Sequence, residues 1–146
     1  MVTVHVNGTS RQYEAGTTLL DISRDFAASF PSPIVAASLS NDVKDLQACV
    51  NEDCRVSFID LTSEEGTRVY RRSLAFVLVA AAGELFPQGE VTVEHSLGKG
   101  LYCEVHLDRE LTADDVDRLQ ERMRQIIAED RPFVRRTMPR DEAIAL

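Results

Sequence analysis

Three groups of side chains in this sequence have the types and spacing to handle an anion. Gly98-Lys99-Gly100 can present backbone N–H groups and an ammonium to a phosphate or carboxylate, with His95, Ser96 and Tyr102 close by in sequence. So short a glycine-bracketed loop also serves as a plain hairpin connection, and the residues alone leave both uses open. Arg68, Arg71 and Arg72 gather at the expected start of an apolar helix, where the dipole disfavours positive charge unless a carboxylate or an anionic ligand offsets it. That makes Arg72 the first residue to test, with pairing to acidic neighbours as the alternative. Arg131, Arg135, Arg136 and Arg140 form a second basic group, suited to RNA phosphates or to an acidic face of a following domain. Phe133 is their only aromatic neighbour, so RNA is the weaker of those two uses.

Other chemistries are excluded or unsupported. No G-x-x-x-x-G-K-[ST] occurs, so the phosphate cradle and magnesium-binding hydroxyl of a P-loop enzyme are missing from this sequence. Cys49, Cys54 and Cys103 are odd in number and lack C-x-x-C spacing, which reads as packing thiols rather than a metal or redox site. His5 and His106 alternate with apolar residues on expected strands and have no acid, thiol or hydroxyl partner at useful spacing. The balance of 16 Lys plus Arg against 24 Asp plus Glu gives a net charge of −8, which disfavours charge-driven affinity for nucleic acid or anionic membrane across the whole surface. The opening residues alternate like a strand rather than forming a signal leader, and the longest apolar run, Leu74 to Ala82, falls far short of the roughly 20 residues that span a bilayer. A cytoplasmic protein is expected, without membrane contact.

The elements that would position these groups follow from hydrophobic periodicity. Val2, Val4 and Val6 alternate with polar residues, Asn7-Gly8 is a primed-turn pair, and Ser10 to Tyr13 can pair back. Leu19, Leu20, Ile22, Phe26 and Ala27 form a helical stripe capped by a threonine hydroxyl and ended by Pro31 and Pro33. Strands are expected at Ile34 to Leu39, Val43 to Leu46 and Val56 to Leu61, with a turn at Asn41-Asp42. One helix across a mixed sheet of about 60 residues makes a compact ubiquitin-like roll. Thr62-Ser63-Glu64-Glu65-Gly66 reads as a polar break and domain boundary. Beyond it come a helix from Arg68 to Phe86, interrupted late by Gly83 and apolar on nearly all sides between Leu74 and Ala82, so expected to be buried, and two strands, Glu90 to Glu94 and Leu101 to Leu107, joined by a loop of His95 to Gly100. A Thr112-capped helix follows, with Val116, Leu119, Met123, Ile126 and Ile127 as its apolar stripe. Pro139 suits the first turn of a last helix, whose stop at Leu146 without a cap reads as a fragment's end.

Tyr13-Glu14-Ala15-Gly16-Thr17-Thr18-Leu19-Leu20-Asp21-Ile22 and Ile34 to Asn41 resemble the TGS domain, the ubiquitin-like module of threonyl-tRNA synthetases, stringent-response synthetases and some GTPases. Arg71 to Leu78, Gly98 to Glu104 and the run from Leu111 to Ile144 resemble the second, editing-type domain of threonyl- and alanyl-tRNA synthetases. The combination, with Arg71-Arg72-Ser73 in place of a histidine motif and His95-Ser96-Leu97-Gly98-Lys99-Gly100-Leu101-Tyr102 in the loop, is similar to the amino-terminal half of bacterial uridine-kinase-like nucleoside kinases. The resemblance implies an α+β chain: a β-grasp TGS domain at residues 1–61, then a degenerate α/β-type editing-like domain at 62–146.

Editing domains carry H-S-x-x-H on one helix face, and the matching positions here are Arg72 and Phe76. Phenylalanine cannot ligate a metal or move a proton, and arginine is never deprotonated, so this pair cannot hydrolyse an ester. No catalytic residue and no metal is therefore expected. The leading expectation is a noncatalytic regulatory or nucleotide-binding region of a nucleoside kinase, whose P-loop domain would follow Leu146 and bring the ATP and Mg that this part lacks. The alternative is a tRNA-binding or editing-type appendage related to threonyl-tRNA synthetase.

Overall fold

A computed structural model describes residues 1–98 and 100–145. The chain is mixed α/β and divides into two compact units, Met1–Phe76 and Val77–Leu146.

The first unit is built on β1 (Val2–Val6), whose three valines are buried while His5 between them is exposed. It pairs antiparallel with β2 (Thr9–Tyr13) through a turn in which Asn7 and Gly8 both adopt positive φ, the primed geometry that matches strand twist. Two-residue strands β3 (Thr17–Thr18) and β6 (Cys49–Val50) pair with each other. Between them lie α1 (Leu19–Arg24), β4 (Ile34–Leu39) and β5 (Asp42–Lys44), and β7 (Cys54–Asp60) follows. The main sheet has the order β2-β1-β7-β4-β5, with β7 parallel to β1 and antiparallel to β4. Leu19 and Ile22 of α1, wholly buried, close the core against Val4, Val6, Val50 and Val56. Thr18 caps α1 by accepting the Asp21 N–H.

Several elements depart from expectation for local reasons. The first helix ends at Arg24 rather than Ala27, because the Asp25 and Phe26 amides bond to Ile22 and Ser23 and tighten the chain into 3₁₀ turns. This swing lets Phe26 enter the core. The turn after β4 is Ser40-Asn41, one residue earlier than expected, with both residues at positive φ. Its return strand stops at Lys44, because Asp45 Oδ1 accepts the Gln47 amide and starts a new turn. β7 begins at Cys54, where parallel pairing with Val4 supplies order that local pattern does not show.

The expected polar break is partly helical: α2 runs Glu64–Leu85. Ser63 Oγ accepts the Gly66 amide at 3.0 Å, and two glutamates occupy the first turn, so the start is capped and dipole-matched. Gly83 does not interrupt it. Nor is the helix buried on nearly all sides, since Phe76 is 68% and Val79 46% exposed.

In the second unit α2 supplies Ala81 and Ala82, which with Phe86 pack against α3 (Ala113–Ala128) through Leu119 and Ile126. The hairpin of β8 (Glu90–Leu97) and β9 (Gly100–His106) adds Val91 and Val105 to this core. Thr112 and Asp115 form the full capping box of α3. The inward stripe is narrower than expected, since Val116 and Ile127 are exposed and Asp115 takes the inward place in the first turn. Pro139 stands at the N-cap of α4 (Arg140–Ile144), one position before the first turn. No helix among the described residues is long and apolar enough to cross a membrane.

Candidate functional site

The hairpin brings together part of what the sequence singles out. His95 pairs with Tyr102 across β8 and β9, after a bulge at Glu94, and their rings lie 5.3 Å apart. Tyr102 donates its hydroxyl to Glu104 at 3.0 Å, and that bond and its charge push the phenol pKa up. Glu104 also meets His106 Nε2 at 3.1 Å, so His106 has an acid partner that its sequence neighbourhood was not expected to supply. Ser96 is exposed and sits opposite Leu101. Lys99 lies outside the described residues, so the anion-holding role expected of it has no structural account.

The basis for singling out Arg72 changes. Because α2 begins at Glu64, Arg68, Arg71 and Arg72 stand in its second and third turns rather than at its start, beyond the reach of the terminal dipole. Arg68 is paired with Glu64 at 3.2 Å. Arg71 and Arg72 have no ion-pair partner among the described residues, and Arg72 is exposed, as is Phe76 one turn on. The Arg72 and Phe76 positions belong to the first unit, and the hairpin residues belong to the second.

The second basic group separates as well. Arg131 is held by Glu84 at 2.9 Å and by Glu129, and Arg122 bridges the same two carboxylates at 2.6 and 2.9 Å. Arg122 first, then Arg131, holds both glutamates below the usual carboxylate range. This four-charge network ties α2, α3 and the start of the segment after it, so Arg131 is committed to structure. Arg135 and Arg136 are exposed on the segment between α3 and α4, which has no regular secondary structure, and have no ion-pair partner among the described residues.

Asp115 was not foreseen as buried, although Thr112-x-x-Asp115 marks it as a cap. It is only 2% exposed and accepts both arms of Arg109, at 2.6 and 2.8 Å, together with the Thr112 amide and hydroxyl. Arg109 first, then Thr112, holds its carboxyl far below the usual range. A carboxyl depressed in this way stabilises the folded state above its unfolded pKa of about 3.9, and that contribution fades as pH falls through the folded value. Acid unfolding of the second unit is thus expected to steepen below about pH 4. Asp115→Asn, followed by thermal unfolding from pH 7 to pH 2, should lower Tm by on the order of 5 °C at pH 7 and flatten the acid decline.

Among the described residues, no group of three or more His, Cys, Asp or Glu side chains could hold a metal, and the three cysteines are free thiols. His5, expected to have no hydroxyl partner, has Ser10 Oγ 2.7 Å from its Nδ1.

No family model matches the chain. It is 30% identical to a threonine–tRNA ligase of Desulforamulus reducens over 138 residues, 94% of this chain and 22% of the ligase. The threonine–tRNA ligase of Pelobacter propionicus is 30% identical over 140 residues, and that of Clostridioides difficile 26% identical over 140, each covering 96% of this chain and 22% of the relative. The chain therefore spans about a fifth of the length of the curated relatives it matches.

Proposed function

We propose that this chain is a tRNA-contacting, non-hydrolytic appendage of the kind carried at the amino terminus of threonyl-tRNA synthetases. One observation carries the reading: the similarity to threonine–tRNA ligases extends over 94% of the chain, through both compact units. On this reading residues 1–61 are a β-grasp TGS domain, supported by the helix-crossed sheet with parallel β1 and β7. Residues 62–146 are a degenerate editing-type domain, with Arg72 and Phe76 where the histidine pair of such domains stands. The relatives reported above are ligases, and no observation favours a nucleoside-kinase parent.

Contact with RNA falls to local cations that have no ion-pair partner among the described residues, Arg72, Arg135 and Arg136 among them, because a chain of net charge −8 cannot attract phosphates over its whole surface. Each phosphate contact contributes close to one unit of salt dependence. Replacing Arg135 and Arg136 together with glutamine should weaken tRNA binding and lower the slope of log K against log salt by about 2. Fluorescence anisotropy across a salt series reads this, and an unchanged slope removes these two residues from the interface.

A further inference from the structure

We propose that the outer face of the five-stranded sheet carries a binding site for a phosphate monoester, formed by His5, Asn7, Arg55 and Ser57. These residues, with Gly8 and Val56, line an open hollow of about 470 Å³ within the first unit. The site does not depend on the tRNA reading.

Strand alternation builds it. Val4, Val6, Val56 and Phe58 point into the core, so His5, Arg55 and Ser57 project from the opposite face. The parallel register sets His5 directly beside Arg55, although 50 positions separate them in sequence. Ser10 Oγ lies 2.7 Å from His5 Nδ1. When that hydroxyl donates, the neutral ring keeps its proton on Nε2, free for a ligand.

Charge supports an anionic occupant. Among the cations of β-strands and turns in this unit, Arg11 is paired with Asp25 at 3.2 Å and Lys44 with Asp42, whereas Arg55 has no ion-pair partner among the described residues. Asp53, two positions before it, accepts the Thr3 amide at 2.6 Å. An acidic chain that leaves this guanidinium unpaired, beside an imidazole, a hydroxyl and an amide, presents donors and no carboxylate to the hollow. Phosphate is the group that uses a guanidinium fork together with several neutral donors.

The test is a titration of the intact chain with inorganic phosphate, ribose 5-phosphate and ribose, followed by the backbone amide resonances of Asn7, Gly8, Arg55 and Ser57. Saturable shifts are expected with both phosphates and none with ribose. Tighter binding of ribose 5-phosphate would assign the site to a sugar phosphate, and equal binding to phosphate alone. Arg55→Gln should weaken phosphate binding about 10-fold with the amide spectrum otherwise intact, and His5→Gln should weaken it less. Shifts reproduced by chloride at equal ionic strength, or an affinity unaffected by Arg55→Gln, would overturn the proposal. So would a loss of tRNA affinity in Arg55→Gln without saturable phosphate binding, which would make the hollow a polynucleotide contact.

Discussion

Gly66→Ala is expected to destabilise the first unit by about 3 kcal/mol, or to shift the start of α2. A Cβ at this position would lie 1.9 Å from the carbonyl oxygen of Asp60 and 2.7 Å from its carbon. Both atoms are backbone, so no side chain can rotate away. The corner is also fixed from several directions: Asp60 accepts the Thr62 amide and hydroxyl, Ser63 donates its hydroxyl to the Asp60 carbonyl, and Gly66 donates its amide to Ser63. The glycine, itself buried, is required here by space, where helix propensity alone would favour alanine. Gly83, in the same helix, is the control. A Cβ there meets nothing within 4 Å, so Gly83→Ala should be neutral or stabilising by up to about 1 kcal/mol. Urea unfolding of both variants measures the contrast, and equal midpoints would show that the corner relaxes freely.

Leu19→Ala should be comparably severe, about 3 kcal/mol from lost transfer energy and the cavity left behind. Leu19 is wholly buried at the point where α1 meets the sheet, and its amide also bonds to the Ala48 carbonyl. A unit of this size has little stability in reserve, so the variant should be substantially unfolded at 37 °C. Amide exchange in β1 and β7 would report it. Protection that matched the parent would mean that Leu19 packs less tightly than its burial implies.

Patterns confined to one stretch of chain were legible in the sequence. The valine alternation of β1, the Asn7-Gly8 turn and the Thr18 and Thr112 caps each depend on neighbours a few residues away. Features that depend on distant partners were not. The Thr17–Val50 and Thr18–Cys49 pairs form a ladder too short to leave a period, and Cys54 joins β7 only because Val4 lies beside it. The start of α2 had a local signal in Ser63 followed by Glu64 and Glu65, which the polar run concealed. For the candidate sites the same division holds. The glycines of the loop mark a hairpin connection between two strands, but nothing local shows that β8 extends through Leu97 and sets His95, expected in that loop, opposite Tyr102. Nothing local marks Arg55 as His5's neighbour or Asp115 as buried, and Arg131 looked available because its partner Glu84 lies on α2, 47 positions away in sequence.

The central claim, a tRNA-contacting module that has lost the histidine pair of an editing site, is tested most directly with threonine tRNA mischarged with serine. The bound fraction and the lifetime of the ester can be read together at low salt. Saturable binding that weakens as salt rises, with the ester decaying at its rate in buffer alone, is the predicted result. Absence of binding at low salt would contradict the tRNA reading, and ester loss above the buffer rate would contradict the loss of hydrolytic chemistry inferred from Arg72 and Phe76.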